Sequence, residues 1–260
     1  MTDFWAIYLG LLAILLACMA ILWAFSILIK NASIVDPFWG TAFVISAWYA
    51  CYQTPAGDPA RKMLVVALVT IWGLRLSIYL LWRNWGQGED YRYQAFRKRY
   101  GPRRYWWVSF FQTFMLQGVL AWIISAPLLG AQIQGPGLNI LDYLALAVWL
   151  VGFVFETGGD LQLARFKANP ANRGKLLTSG FWRYSRHPNY FGDAACWWAY
   201  GLLSVAAGSY LAALGALVMT GLIIRVSGVA LLERSLSKSK PGYEEYARRT
   251  SSFIPRPPRD

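Results

Sequence analysis

Long apolar segments separated by short polar stretches limit the folds that are open to this chain. A membrane-spanning helix needs about 20 consecutive apolar residues, and seven segments come near that length. They are residues 4–29, 37–52, 63–81, 107–129, 140–163, 190–206 and 211–232. With 57% hydrophobic and 15% charged residues, the chain is too apolar for one soluble core. The sequence therefore predicts an all-α integral membrane protein with about seven transmembrane helices in a single membrane domain.

The basic residues are confined to the stretches between these segments. There are 25 Lys and Arg against 13 Asp and Glu, and the strongly basic stretches are residues 83–104, 167–186 and 238–259. This pattern is typical of membrane topology and not of a nucleic-acid-binding face, so no nucleic acid is expected as a partner. Because basic loops stay cytoplasmic, the N-terminus is predicted outside and the C-terminus inside, with Arg61 and Lys62 as exceptions.

Charged residues in or beside the predicted spans are functional candidates, since charges inside a membrane are costly. They are Asp36, Arg75, Glu156, Asp160 and Arg225. Counting about 1.5 Å per residue along each helix places all of them in the inner half of the membrane. We expect a polar cavity that opens to the cytoplasm.

Two of these charges lie in the first half of the chain and have competing interpretations. Asp36 either caps its helix, with Pro37 in the first position, or serves as a proton donor with a raised pKa. Arg75 either forms a structural ion pair with Glu156 or Asp36, or lines the substrate end of the cavity beside Trp72.

The stretch from 180 to 200 is the densest polar patch in the chain and includes its only histidine. It contains Arg183, Tyr184, Arg186, His187, Asn189, Tyr190 and Asp193. The basic loop before it, with Lys167 and Lys175, has two interpretations. It either sets the membrane orientation or contacts lipid headgroups, or it binds the phosphates of a ligand. No Gly-x-Gly-x-x-Gly or Walker loop is present, so a nucleotide would bind outside the standard soluble folds.

The C-terminal tail, residues 232–258, interleaves aromatic and charged residues and includes Glu233, Arg234 and Tyr246. It is either a surface amphipathic helix or a segment that docks and closes a site. The three cysteines are far apart, which indicates buried inert thiols and neither a disulfide framework nor a metal site. The first apolar run is too long for a cleaved signal, so it is expected to remain as a membrane helix.

The pattern Gly180-x-x-x-Tyr-x-Arg-His-Pro-Asn-Tyr-x-Gly192, with Leu-Glu-Arg at 232–234 and the tail from Tyr243 to Pro255, resembles a membrane superfamily. That superfamily includes the steroid 5α-reductases, the sterol C14 and Δ7 reductases and the isoprenylcysteine carboxyl methyltransferases. Reductases and methyltransferases share the core motif, so it does not by itself choose between NADPH and S-adenosylmethionine. Residues 35–40 and 72–75, with the seven-helix length, look like the bacterial 5α-reductase-like branch.

The resemblance implies NADPH as cofactor and a lipophilic enone, such as a 3-keto-Δ4 steroid, as substrate. Residues 1–135 would form the substrate side, with Asp36, Trp72 and Arg75 as catalytic candidates, although that family has a Gln-Glu pair in helix two and a tyrosine in helix three. Residues 136–260 would form the cofactor side. Its expected cofactor-binding residues are Asp160, Lys167, Lys175, Arg183, Tyr184, Arg186, His187, Asn189, Tyr190, Asp193, Glu233, Arg234 and Tyr246.

Two other functions stay open at this point, an S-adenosylmethionine-dependent methyltransferase and a non-enzymatic lipid-binding or transport protein. The cations at 167–186 weigh mildly against the first, and no inverted repeat supports the second. We expect a monomer surrounded by membrane lipids, in a bacterial inner membrane or in the endoplasmic reticulum of a eukaryote, with the cofactor site facing the cytoplasm.

Overall fold

The structure, a computed structural model, describes residues 3–259 except 230–231, 234–235 and 238–239. Every regular element in these ranges is helical. The helices are α1 (Phe4–Ile29), α2 (Val35–Gln53), α3 (Pro59–Asn84), α4 (Tyr91–Tyr100), α5 (Pro102–Ser109), α6 (Leu116–Ile124), α7 (Ala126–Gly130), α8 (Ile140–Ala168), α9 (Phe181–Tyr184), α10 (Pro188–Ala206), α11 (Leu214–Gly221) and α12 (Tyr243–Arg249). Short 3-10 turns lie at Ala32–Ile34 and Pro170–Asn172, and π-helical turns at Phe110–Met115 and Leu222–Ser227.

Among the described residues, four helices are long and apolar enough to cross a membrane. They are Phe4–Ile29, Pro59–Asn84, Pro102–Gly130 and Ile140–Ala168. The other three predicted segments are also helical, but α2 and α10 have 19 residues each and the apolar helix Leu214–Val226 is shorter. The chain is therefore an all-helical membrane protein, while the count of about seven spans and their orientation stay predictions.

The chain divides into two compact units. Unit 1 comprises Met1–Asn139 and Leu203–Ala212, and unit 2 comprises Ile140–Leu202 and Ala213–Asp260. The expected division of labour, with substrate in the first half and cofactor in the second, stays a prediction.

Small residues bring the helices of unit 1 into close contact. A Cβ on Gly40 of α2 would lie 2.2 Å from the carbonyl oxygen of Gly73 on α3, so only glycine fits there. One turn further along α3, Thr41 Oγ1 and Ser77 Oγ are hydrogen-bonded at 3.0 Å. This close packing positions the start of α2.

Unit 2 has a similar close contact between α8 and α10. A Cβ on Gly192 would lie 2.3 Å from the backbone nitrogen of Glu156. The first half of α10, which carries the polar motif, therefore packs against the section of α8 that carries Glu156 and Asp160. Gly180 starts this motif with φ near +61°, where a side chain would also collide with Gln162.

The interpretation of Asp36 as a helix cap is wrong. The 3-10 turn Ala32–Ile34 leads directly into α2, which begins at Val35 with no side-chain cap, and Asn31 caps that turn instead. Asp36 therefore lies in the first turn of α2 with its carboxylate available for other contacts. Pro37 is tolerated there because the first-turn N–H groups have no intrahelical partner.

The two basic residues that disagreed with the predicted orientation bind loop carbonyls in unit 1. Arg61 is fully buried and donates to the carbonyl oxygens of Pro136 at 2.8 Å and Gly137 at 3.1 Å. Lys62 Nζ donates to the carbonyl of Thr54 at 2.6 Å. Both cations therefore have a local structural role that a count of loop charges does not reveal.

Candidate functional site

A cavity of about 440 Å³ lies in unit 2 between the end of α8, the loop that follows and the tail. Its polar lining consists of Lys167, Asn169, Asn172, Arg173, Lys175, Arg186 and Lys240. Trp182, Tyr243 and Tyr246 supply aromatic faces, and leucines, Phe166 and Pro170 complete the wall. None of these lining residues is acidic, so the cavity carries a strongly positive potential that suits an anion.

Three of the cations in this cavity are available to a ligand. The side chains of Arg173, Lys175 and Lys240 make no hydrogen bond or ion pair within the described part of the chain. Arginine and lysine side chains of this kind bind phosphates through charge-assisted hydrogen bonds. The predicted residue Lys167 lines the same cavity.

Arg186 also lines the cavity, but its donors are used within the protein. Nε and Nη2 donate to Oε1 of Glu233 at 2.9 and 2.6 Å, and Nη1 donates to the carbonyls of Ala247 and Thr250 at 2.8 and 2.6 Å. The backbone N–H of Arg186 donates to the carbonyl of Ser251 at 2.8 Å. Arg186 therefore ties the motif to the tail, and its donors are less available to a ligand than those of the other cations.

Further contacts hold the tail on the same motif. The hydroxyl of Tyr246 donates to the carbonyl of Trp182, and Ser185 Oγ donates to the carbonyl of Phe253 at 2.8 Å. The backbone N–H of Arg256 donates to the carbonyl of Tyr184 at 3.0 Å. The tail thus docks on unit 2 and supplies one wall of the cavity through Tyr243 and Tyr246. Burial raises the pKa of the Tyr246 hydroxyl, which keeps it a donor at neutral pH.

His187 is buried next to the contacts between Arg186 and the tail, with 2% of its surface exposed. Its ring stacks on Tyr190 at 5.7 Å between centroids, and Nε2 lies 3.4 Å from Oε1 of Glu233. Burial lowers the pKa of His187 to about 4, and although Glu233 opposes this shift, the positive charge of Arg186 adds to it. His187 is therefore a neutral imidazole at pH 7 and does not add to the positive charge of the cavity.

A second group of predicted residues lies where α8 and α10 pack together. Asn189 Nδ2 donates to Oδ1 of Asp160 at 3.0 Å, and Oδ1 of Asn189 is buried with no hydrogen-bond partner among the described residues. Asp160 is buried on α8 and Asp193 is half-buried on α10. A buried amide oxygen that lacks a donor is a place where a ligand N–H or O–H could bind.

The remaining predicted cofactor residues are at the surface or outside the described ranges. Arg183 is exposed and Tyr184 is 42% exposed, and their carbonyl oxygens, not their side chains, accept hydrogen bonds from the tail. Glu233 binds Arg186, as described above. Arg234 lies outside the described residues.

The catalytic candidate Asp36 lies in a separate polar cluster in unit 1. Tyr93 Oη donates to Oδ1 of Asp36 at 2.6 Å, and Arg92 Nη2 donates to Oδ2 at 2.7 Å. Arg92 also binds Asp90, with Nε 2.9 Å from Oδ1, and Gln117 Nε2 donates to Tyr93 Oη at 3.4 Å. Both oxygens of Asp36 are thus occupied, and one of them accepts the single hydroxyl proton of Tyr93.

The charges of this cluster set its protonation. Burial, followed by the negative charge of Asp36, raises the pKa of Tyr93. Burial would lower the pKa of Arg92, but the hydrogen bond to Asp90 and the charge of Asp36 outweigh it and raise that pKa. Tyr93 is consequently a protonated phenol at neutral pH, oriented by a carboxylate.

The loop before α4 holds this cluster against the start of α2. Glu89 Oε1 accepts from the backbone N–H of Ala32 at 2.9 Å and forms an ion pair with Arg97 at 2.8 Å. The backbone N–H of Asp90 donates to Ser33 Oγ at 2.6 Å. Sequence reasoning missed these residues, although Glu89 and Asp90 are the only carboxylates in the basic stretch 83–104.

The other two catalytic candidates lie on α3. Trp72 is fully buried and packs against Phe43, with ring centroids 5.9 Å apart. Arg75 is half-buried one turn further along. Their catalytic roles stay predictions.

Known proteins resemble the chain to different extents. It is 26% identical to the uncharacterized protein C594.04c of Schizosaccharomyces pombe over 264 residues, which covers 91% of this chain and 76% of the relative. A shorter region is 38% identical over 79 residues to the Delta(14)-sterol reductase erg24 of S. pombe, and another match is 37% identical over 70 residues to the Delta(14)-sterol reductase of Ascobolus immersus.

The two reductase matches cover 25% and 22% of this chain and only 19% and 16% of the reductases themselves. They show a partial similarity to sterol reductases, which fits the membrane superfamily without selecting the 5α-reductase branch. A family model covers far more of the chain and matches residues 22–250. The chain therefore belongs to the family described as "Protein of unknown function (DUF1295)".

Proposed function

We propose that this chain is a membrane-bound, NADPH-dependent reductase of the carbon–carbon double bond of a lipophilic enone, similar to a 5α-reductase acting on a 3-keto-Δ4 steroid. The observation that carries the proposal is the cation-lined cavity of unit 2, whose described lining contains no carboxylate. The partial similarity to two Delta(14)-sterol reductases supports the reaction class.

The residues present fit the phosphates and the base of a dinucleotide. The side chains of Arg173, Lys175 and Lys240, which have no partner among the described residues, suit phosphate oxygens. Trp182 and Tyr243 offer faces on which a planar ring can stack. The cavity volume of about 440 Å³ falls within the usual range for small-molecule sites. Several cations in one place favour NADPH over NADH, since NADPH carries one more phosphate.

S-adenosylmethionine is a poorer match for the same cavity. It carries a sulfonium cation and an amino group, and it has no phosphate. Placing those positive groups among cations, with no carboxylate in the described lining, would be repulsive. If the binding test below shows binding of S-adenosylmethionine and not of NADPH, a methyltransferase replaces this proposal.

The proposed role of unit 1 is to hold the substrate carbonyl and supply a proton. Tyr93 is the proposed donor: its single O–H, which Asp36 accepts in this structure, would turn to the substrate when the substrate is bound. Arg75 and Trp72 are proposed to line the substrate site. Bound NADPH would supply the hydride for the β-carbon, and the proton would complete the reduction at the α-carbon, so that a double bond becomes a single bond.

The test is thermal unfolding of the purified full chain in detergent with NADPH, NADH or S-adenosylmethionine. NADPH should raise the melting temperature most, because a ligand that binds only the folded state stabilises it. Arg173→Gln and Lys175→Gln should each weaken NADPH binding about tenfold or more, as expected for one lost charge-assisted contact. Stabilisation by S-adenosylmethionine without stabilisation by NADPH would show that the proposal is wrong.

Arg165→Gln is the matched control. Arg165 is an exposed cation of α8 that does not line the cavity, so its loss changes the net charge equally without removing a phosphate contact. NADPH binding by this variant should equal that of the wild type. Oxidation of NADPH on addition of a 3-keto-Δ4 steroid would then test the substrate class separately from the cofactor.

We further propose that the protein acts as a monomer with its cofactor cavity facing the cytoplasm, in the bacterial inner membrane or in the endoplasmic reticulum. This side of the membrane follows from the basic loops. The test of this orientation introduces a cysteine near Lys175 and labels it with a membrane-impermeant thiol reagent in intact and in opened cells. A cytoplasmic cavity predicts labelling only in the opened cells.

A further inference from the structure

Four exposed cations surround the junction of α4 and α5 in unit 1. Lys98 and Arg99 lie in the last turn of α4, and Arg103 and Arg104 lie in the first turn of α5. Gly101 joins the two helices directly with φ near +74°, so no loop separates the two pairs. We call these four residues the basic elbow.

The cations of the basic elbow differ from the two arginines that lie earlier on α4. Arg92 and Arg97 are neutralised by carboxylates, Arg92 by Asp36 and Asp90, and Arg97 by Glu89. The four cations of the elbow form no ion pair within the ranges that the structure describes. Four like charges held close together without a carboxylate favour an external anion.

The position of the elbow selects the kind of anion. α5 begins the 29-residue candidate span Pro102–Gly130, which is roughly 43 Å long at 1.5 Å per residue. Because the hydrocarbon core is about 30 Å thick, the end of such a helix reaches the lipid headgroups. Trp106 and Trp107, one turn into α5, are 51% and 45% exposed, as is usual for tryptophans at that depth.

The elbow is also held in one conformation. The guanidinium of Arg97 lies 4.5 Å from the ring centroid of Tyr105, which joins α4 to α5. The N–H of Gly101 donates to the carbonyl of Arg97 at 3.0 Å, and the N–H of Tyr105 donates to the carbonyl of Gly101 at 3.0 Å. A rigid arrangement lowers the cost of binding, since the backbone is already ordered.

We propose that the basic elbow is a binding surface for the phosphate headgroups of anionic phospholipids. It is distinct from the cavity of unit 2 and does not depend on the proposed reductase function. Such contacts would stabilise unit 1 in membranes that contain anionic lipid. Basic residues that only set the membrane orientation act by their charge during insertion. The proposed lipid contacts, in contrast, require these four side chains in the folded protein.

The experiment titrates short-chain phosphatidylglycerol into the purified full chain in a neutral detergent and follows the melting temperature. The same titration is made with short-chain phosphatidylcholine and with inorganic phosphate. Phosphatidylglycerol alone should raise the melting temperature, and higher salt should weaken the effect because exposed charges are screened. Equal stabilisation by phosphatidylcholine or by inorganic phosphate would overturn the proposal.

The variant Lys98→Gln/Arg99→Gln should bind phosphatidylglycerol about thirtyfold more weakly, from roughly 1 kcal/mol for each cation at an anionic surface. The control Arg248→Gln/Arg249→Gln removes two exposed cations of α12 that already face Glu245, and it should keep the wild-type response. If the elbow variant does not fold, the salt dependence and lipid selectivity of the wild type still decide the question. An unchanged midpoint in a folded elbow variant would refute the proposal.

Discussion

The buried side chain of His187 should make the stability of unit 2 depend on pH. With 2% of its surface exposed and Arg186 beside it, its pKa is lowered to about 4, whereas histidine in an unfolded chain titrates near 6.5. The unfolded state therefore binds the proton more tightly. The stabilisation is complete above about pH 6.5 and is lost progressively as the pH falls from there to about 4.

The size of the effect follows from the difference between the two pKa values. A shift of this size corresponds to about 3 kcal/mol, since one pKa unit is worth about 1.4 kcal/mol. His187→Gln keeps a neutral polar side chain that does not titrate in this range. Between about pH 6.5 and 4, the wild type should lose about 3 kcal/mol more of its unfolding free energy than this variant loses.

The assay is unfolding of the full chain in detergent, followed by circular dichroism at a series of pH values for both proteins. Carboxylates that titrate in this range contribute to both curves, so the difference between the curves isolates His187. Tyr190→Phe, which keeps the ring stacked on His187, is the control and should retain the wild-type pH dependence. Parallel curves for wild type and His187→Gln would refute the conclusion that burial keeps this histidine neutral.

Three further substitutions test the contacts that hold each unit together. Gly192→Ala should destabilise unit 2 by about 1–3 kcal/mol in thermal unfolding, because the new Cβ would lie 2.3 Å from the Glu156 nitrogen. Tyr93→Phe removes the donor to Asp36 Oδ1 and should cost about 1–3 kcal/mol, and steroid-dependent NADPH oxidation should be lost while NADPH binding remains. Arg186→Lys should increase proteolysis of the tail and weaken NADPH binding, since one ammonium group cannot reproduce the four hydrogen bonds of the guanidinium.

The sequence predicts the helices well, because length and apolar composition determine them. Within the described residues, each of the seven apolar segments contains helix, although the last one begins in a turn at 211–213. Hydropathy does not predict two other features of the backbone. The 3-10 turn that precedes α2 removes Asp36 from the cap position. The helix α4 lies in a stretch whose composition predicts only a basic loop. The 3-10 turn is held by Glu89 and Asp90, which lie far from it in the chain, whereas α4 begins at a local cap, Asp90.

The candidate site was predictable by region but not by role. The motif from 180 to 200 and the basic loop before it do border the cavity through Lys167, Lys175 and Arg186. Residue type alone could not show that Arg186 is used by the tail or that burial leaves His187 uncharged. Likewise, the partners of Asp36 are Arg92 and Tyr93, 56 and 57 residues further along the chain, where no local spacing rule applies.

The hydrogen bonds that Arg186 makes to the tail have a consequence for how the protein is made. Two of its acceptors, the carbonyls of Ala247 and Thr250, are translated 61 and 64 residues after it. During synthesis the guanidinium therefore lacks these partners until the tail is made, and the wall of the cavity formed by the tail is assembled last. A ribosome that stalls before α12 would leave an inserted chain with an open cavity.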